Sequence, residues 1–389
     1  MFANSAHPSA LEILSELVSF NTIPQNSNLD MTQYIETLTH RVGARTVRIP
    51  SPDGTKTGLL VSIGPPEGHG VLLSAHMDVV PVAGQNWTSD PFKMRLRDGC
   101  VYGRGTVDMK GYIAVSLATL LAASQTELKN PLHLALSYDE EIGCFGAEPL
   151  IEYIVARLQK PFAVIVGEPT DLQVVNAHKS AYDFRTVVRG RAAHSSVPSL
   201  GSNAIYAAAR VISRIDDKAD ALKRVPYTEV AYDAPYATLS CGIIKGGTSG
   251  NVIPADCEFN WEVRAGYRGE PERIRDEILA FTREDVLPRL RLTADDASIE
   301  TEQLCAVAAL QPEPNGIAEG MMLSLTGTSQ TRSVSFCSEA GMFQAAGLST
   351  VVCGPGSIKQ AHQPDEFIAI AELERCKAIL ANAVATHLA

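Results

Sequence analysis

The chain has 389 residues, of which 45% are hydrophobic and 20% charged, and a formal net charge of −11. Its length exceeds the roughly 250–300 residues that one hydrophobic core serves, so two domains are expected. The negative balance argues against nonspecific nucleic-acid binding and is compatible with a cationic substrate. No run reaches about 18 apolar residues, which excludes a membrane-spanning helix. The opening MFANSAHPSALEILSELVSF has no basic leader ahead of an apolar core. Pro8 followed by Leu11, Leu14, Leu17 and Val18 on one face predicts a helix rather than a signal peptide. To about residue 170, apolar strand-like runs alternate with helical patterns: GLLVSIG, GVLLSAHMDVV, the helix YIAVSLATLLAAS, PLHLALSYD and FAVIVGEPT. Continuous apolar strands separated by helices predict an α/β domain with a mixed, mostly parallel sheet covered on both faces.

From about residue 180 the texture changes. SAYDFRTVVRG, ATLSCGIIKGG and DCEFNWEVRAG alternate apolar and polar positions, with helices NAIYAAARVISRI and PERIRDEILAFTRE among them. One-sided strands with helices suit an α+β domain. From about 310 the first style returns, with MMLSLTG, LSTVVCGPG and a final helix AELERCKAILANAVATHL. The expected organisation is an α/β catalytic domain over 1–180 and 309–389, with an α+β domain inserted at 181–308. The eight cysteines, at 100, 144, 241, 257, 305, 337, 353 and 376, contain no CxxC pair. This scatter suits reduced thiols in a cytosolic protein and speaks against a disulfide framework or a cysteine zinc site.

Within VLLSAHMDVVP (71–81), His76 and Asp78 interrupt a run that otherwise belongs in a buried strand. An unsatisfied buried polar group costs about 2–7 kcal/mol, so these two need partners. Other polar residues stand at comparable places: Asp108 after VYGRGTVDMKG begins, Glu140 and Glu141 closing LHLALSYDEE, Glu168 ending FAVIVGE, and His362 after CGPGSIKQ. Read singly, each is a helix cap, a surface charge or a satisfied rim histidine. Together they occupy the carboxyl ends of strands, where open α/β sheets bind ligands.

His76, Asp108, Glu141, Glu168 and His362 sum to −3 with neutral imidazoles. Three gathered carboxylates repel, and at least one would remain protonated. Two divalent cations and one hydroxide bring the sum to zero, whereas one cation leaves it undercompensated. Mixed imidazole and carboxylate donors suit zinc, with cobalt or manganese as alternatives. Asp78 can then accept the second ring N–H of His76 and fix its tautomer. Of the adjacent Glu140 and Glu141, one can bind metal and the other serve as general base and acid.

SAHMDVVP, YGRGTVDMKG, DEEIGCFGA, GEPT, GRAAHSS and CGPGSIKQAHQPDEF, in this order, resemble the two-zinc aminoacylase, carboxypeptidase and deacetylase family. Within it the likeness is greatest to the branch that removes acetyl from acetylornithine in arginine biosynthesis. The resemblance implies that His76 and Glu168 hold one zinc, that Glu141 and His362 hold the other, and that Asp108 bridges. It implies Glu140 as general acid/base, Asp78 as the orienter of His76, and a cis peptide at Asp108–Met109. It further implies that 181–308 is a lid and dimer contact, so that the chain forms a homodimer, and that His194 in GRAAHSS contacts the oxyanion or substrate, in its own or the partner's site. Asn251 and Arg264 fall where the family contacts the substrate's carboxylate and scissile carbonyl. Gly354 and Gly356 fall on a loop lining the pocket. FCSEAGMFQAAG resembles the deacetylase branch, with Ser338 in place of the usual Thr, and Glu339 is expected to face the substrate's basic side chain.

The implied activity is hydrolysis of a small N-acyl amino acid, with no nucleic-acid or membrane partner. Broad N-acyl-amino-acid deacylation, dipeptide hydrolysis and succinyl-diaminopimelate desuccinylation stand as alternatives, because the metal machinery does not choose the acyl group. A catalytically silent dimeric binding protein is the rival from another class, and would call for a broken ligand set. Zinc storage is weaker, because it would call for thiolates.

Overall fold

A computed structural model describes residues 7–389. The first six residues, part of the stretch read above as lacking a leader, lie outside the description. The chain divides into two compact units. The first comprises residues up to Asn176, Pro312–Arg332 and Ser338–Ala389. The second comprises Ala177–Gln311 with Ser333–Cys337, a short return that no sequence pattern announces.

The large sheet of the first unit runs in the order Arg45–Pro50, Thr57–Ile63, Leu132–Ser137, Val71–His76, Ala163–Pro169, Thr350–Gly354, Val175–His178, Arg332–Val334. Its four central strands, Leu132–Ser137 to Thr350–Gly354, are mutually parallel, while Arg45–Pro50 with Thr57–Ile63, Thr57–Ile63 with Leu132–Ser137, and Thr350–Gly354 with Val175–His178 pair antiparallel. The sheet is thus mixed and mostly parallel at its centre. The central strands are buried along their whole length, which is why they read as unbroken apolar runs.

The helix Lys110–Ala123 explains how that burial is reached. All but one of its residues are buried, as expected of a helix that is apolar all round. It packs against Ala10–Ser19, Ile370–His387 and the sheet. Ala10–Ser19 starts at a capping box in which Ser9 and Glu12 satisfy each other's backbone N–H groups. It buries Ile13, Leu14, Leu17 and Val18.

A small three-stranded sheet joins Arg95–Arg97, Cys100–Tyr102 and Phe367–Ala369. Phe367 pairs with Tyr102, so the segments carrying Asp108 and His362 leave from neighbouring strands.

The second unit is built on an antiparallel sheet in the order Thr238–Gly246, Asp256–Arg264, Ala181–Arg189, Ser298–Val307. Asp256–Arg264 buries alternate residues. Its inner face, with Phe259, Trp261 and Val263, packs with Phe184 and Val188 against Val211, Ile215, Ile274 and Ile278 of two helices. Phe184 and Trp261 stack with centroids 4.3 Å apart. Among the described residues, no helix is long and apolar enough to cross a membrane.

Candidate metal centre

The carboxyl ends of the parallel strands converge on one cluster. His76 is the last residue of Val71–His76, Glu168 lies near the end of Ala163–Pro169, and Glu140 and Glu141 follow Leu132–Ser137. Asp108 sits just before the helix Lys110–Ala123, and the Asp108–Met109 peptide is cis. His362 lies between Thr350–Gly354 and Phe367–Ala369. Ligand sites in open α/β sheets occur at such ends.

Asp108 is the centre of the arrangement. Its Oδ1 is 3.1 Å from His76 Nε2 and its Oδ2 is 3.2 Å from His362 Nε2. His76 Nε2 also lies 3.7 Å from Glu168 Oε1, and His362 Nε2 lies 3.1 Å from Glu141 Oε2. Two donor triads result, His76–Asp108–Glu168 and Asp108–Glu141–His362, each with its ligand atoms mutually within 4.8 Å. They share one carboxylate, with a different oxygen turned to each triad.

The donors fit divalent cations. His76, Asp108 and Glu168 are buried, while His362 is half-exposed. Burial, then repulsion from Asp108, pushes the Glu168 carboxyl well above its usual range. Burial and the same neighbour raise Glu141. Glu140 is also raised well above its usual range, chiefly by burial, with Glu168, Glu141 and Asp78 adding to it. Burial works to raise Asp108 as well, but the two imidazoles outweigh it and hold the carboxyl low. Hydrogen bonds to Asp108 and Glu141 push the His362 imidazole up to about 10. Glu141 Oε1 is buried without a hydrogen-bond partner. Crowded carboxylates, imidazole donors and an orphaned buried oxygen are what a carboxylate–histidine metal site requires.

Asp78 meets His76 and a second partner. The nearest acceptor for His76 Nδ1 is the backbone carbonyl of Asp78, at 3.0 Å, whereas its carboxylate is 3.5 Å away. That carboxylate instead accepts the backbone N–H groups of Glu140 and Glu141, each at 3.1 Å. Asp78 therefore fixes the His76 ring mainly through its main chain and the Glu140–Glu141 turn through its side chain.

Three of the expected substrate contacts are buried. Glu339 is 1% exposed and accepts hydrogen bonds from Ser74, at 3.2 Å, and from Ser137. Both serines lie on central strands of the sheet. Gly354 and Gly356 are buried, and both serve close packing. A Cβ on Gly354 would meet the Gly167 carbonyl oxygen at 2.0 Å, and Gly356, with φ of 78°, lies against Val107.

His194, Asn251 and Arg264 belong to the second unit. His194 is exposed, and its Nδ1 accepts from the Ser196 hydroxyl at 2.7 Å. The Asn251 carbonyl accepts the Ser195 N–H at 3.0 Å, beside the antiparallel pairing of His194 with Val252. Arg264 ends its strand opposite Thr238, and its Nε donates to Glu262 at 3.0 Å. The structure thus gathers seven expected site residues in the first unit: His76, Asp78, Asp108, Glu140, Glu141, Glu168 and His362.

Residues 72–386 match the peptidase family M20/M25/M40. The chain belongs to that family. It is similar to an acetylornithine deacetylase of Myxococcus xanthus, at 33% identity over 97% of both chains. It is also similar to an acetylornithine deacetylase of Shigella sonnei, at 35% identity over 93% of both. A solved M20 family metallo-carboxypeptidase from Sulfolobus solfataricus shares the fold, with a TM-score of 0.74 at 18% identity, over 97% of this chain and 98% of that one. As an M20 member, the chain is a metal-dependent hydrolase.

Sequence reasoning passed over Arg104 and Glu366, both 1% exposed and paired at 2.7 Å. The signal was present: an arginine between two glycines in YGRGT, and a glutamate four residues after His362.

Proposed function

We propose that this chain is an amidohydrolase that removes the acetyl group from the α-nitrogen of acetylornithine, with two zinc ions in its two triads. The observation that carries the reading is the Asp108 carboxylate, which turns one oxygen to each histidine at 3.1 and 3.2 Å. The full-length similarity to acetylornithine deacetylases supports the substrate.

His76, Asp108 and Glu168 would hold one ion, and Asp108, Glu141 and His362 the other. Bound there, the ions supply Lewis-acid polarisation of the acyl carbonyl and lower the pKa of the attacking water. Glu140 takes a proton from that water as its oxygen bonds to the carbonyl carbon. It then delivers the proton to the amine nitrogen as the C–N bond breaks, releasing acetate and the free amine. Asp78 keeps Glu140 in place by holding its backbone N–H.

The second unit is assigned the roles of lid and homodimer contact, with His194 donating to the oxyanion in its own or its partner's site. Asn251 and Arg264 meet the scissile carbonyl and the substrate's carboxylate, for which a guanidinium fork is suited. The scatter of the cysteines, with no CxxC pair, supports a cytoplasmic location.

The test is amide hydrolysis by metal-stripped and then zinc-titrated protein on acetylornithine, acetylmethionine, succinyl-diaminopimelate and a simple dipeptide. Recovery at two ions per chain with a clear lead for acetylornithine is expected. Preference for another member of the panel would overturn the substrate. No hydrolysis by zinc-loaded protein would replace the enzyme with a binding protein.

A further inference from the structure

Asp108 and His362 must hold a fixed mutual geometry if one carboxylate is to serve both triads, yet neither sits inside a regular element. Both lie on loops, and His362 has φ of 63°, a left-handed conformation uncommon for a non-glycine residue. One buried network reaches both loops through their backbones.

Glu366 Oε1 accepts the N–H of Val107 at 2.9 Å and of Asp108 itself at 3.1 Å. Its Oε2 accepts the N–H of Gly105 at 3.0 Å and Arg104 Nη1 at 2.7 Å. The other Arg104 nitrogen, Nη2, donates to Gln85 Oε1 at 2.6 Å, and Gln85 Nε2 donates to the backbone carbonyl of His362 at 2.9 Å. Arg104 also lies 5.0 Å over the Trp87 ring, whose N–H donates to Gln85 at 2.9 Å. The path from the Asp108 N–H to the His362 carbonyl is therefore a continuous series of hydrogen bonds through Glu366, Arg104 and Gln85.

A buried ion pair contributes little net stability compared with a well-packed apolar pair. Its use here is geometric, because the Arg104 guanidinium spans Glu366 and Gln85 while the Glu366 carboxylate accepts four hydrogen bonds, which leaves little rotation.

We propose that Glu366, Arg104 and Gln85 form a clamp of positioning residues that sets the bridging carboxylate of Asp108 against His362. The inference rests on the two-metal reading above. Gln85 is the informative member: it is only partly buried, so its truncation leaves the core alone while removing the bond to the His362 carbonyl and leaving only the longer contact, at 3.4 Å, from Arg104 Nη1 to the Gln363 carbonyl.

The experiment is cobalt titration of the metal-stripped full-length chain, followed by calorimetry and by the visible spectrum of bound Co²⁺, alongside thermal unfolding without metal. Wild type is expected to bind two Co²⁺. Gln85→Ala should unfold at the wild-type temperature without metal, bind one Co²⁺ normally, and bind the other about 10–100-fold more weakly with an altered spectrum. Glu366→Gln should weaken both, because both triads share Asp108. If this variant does not fold, Gln85→Ala and Arg104→Lys decide. Two Co²⁺ bound to the variants with wild-type affinity and spectrum would overturn the clamp. Fewer than two bound to wild type would instead overturn the two-metal reading on which the clamp rests.

Discussion

The carboxylate of Asp78 accepts the backbone N–H of Glu140 at 3.1 Å, and its other oxygen accepts that of Glu141 at the same distance. One side chain thus orients both the proposed base and a proposed ligand. Asp78→Asn places an amide N–H₂ against one of these donors, so the turn must shift. Activity is expected to fall about 10–100-fold, the usual cost of disturbing a residue behind a metal ligand. KM should change little, and steady-state kinetics on the zinc-loaded variant reads the split. A fall confined to KM would show that Asp78 acts on substrate rather than on the turn.

Glu140→Gln removes the proton acceptor and keeps the side-chain shape. Loss of a general base lowers kcat by about 10²–10⁴-fold. Metal content should stay as in wild type, because Glu140 is in neither donor triad. Elemental analysis beside kcat separates the roles: loss of an ion with the activity would make Glu140 a ligand.

Glu339 is bonded to Ser74 and Ser137 inside the sheet. Glu339→Gln should therefore leave the ratio of kcat/KM for acetylornithine over acetylmethionine unchanged, although both values can drop. A ratio that collapses toward one would return Glu339 to the substrate pocket.

The metal-centre residues were legible because their chemistry contradicts their surroundings. His76 and Glu168 stand in or at the end of apolar strands, and a sheet's parallel strands bring such ends together. The partners of Glu339 were not legible: the sequence shows its neighbourhood, but not that its side chain turns to two serines on other strands. Arg104 and Glu366 stand out locally, but their link to Asp108 was illegible because Glu366 and the N–H of Asp108 are 258 residues apart. No local pattern encodes that pairing. The role of Gly354 depends on how near another strand's backbone comes, which composition does not reveal.

Two buried histidines couple stability to pH. Burial pushes His133, with Arg45 adding to the effect, down to about 4, and burial likewise pushes His178 down to about 4. Both are thus neutral in the fold, and the unfolded chain binds more protons between pH 6.5 and 4. Their contribution is fully present above pH 6.5 and is lost as pH falls toward 4. For His133 the loss between pH 7 and pH 5 is about 2 kcal/mol. His133→Gln can keep the contact with Ser62, which lies 2.8 Å from the ring. Urea unfolding at the two pH values should show a smaller acid loss in the variant by about that amount. An equal loss would mean that His133 titrates normally in the fold.

Gly354 ends its strand where the backbone of Gly167 and Glu168 passes closest. A methyl group there would lie 2.0 Å from the Gly167 carbonyl oxygen and 2.5 Å from that of Glu168. These are backbone atoms of the strand that carries a proposed ligand, so relief requires the strand to move. Gly354→Ala is expected to lose roughly 1–3 kcal/mol of stability, the usual cost of overpacking, or somewhat more. It should also bind metal more weakly, because the same shift displaces Glu168. Gly242→Ala is the control, since nothing lies within 4 Å of its added Cβ, and it should change stability by less than about 0.5 kcal/mol. Thermal unfolding with and without metal measures both effects. If the metal-dependent gain in Tm is as large in Gly354→Ala as in wild type, the strand absorbs the methyl group without moving Glu168.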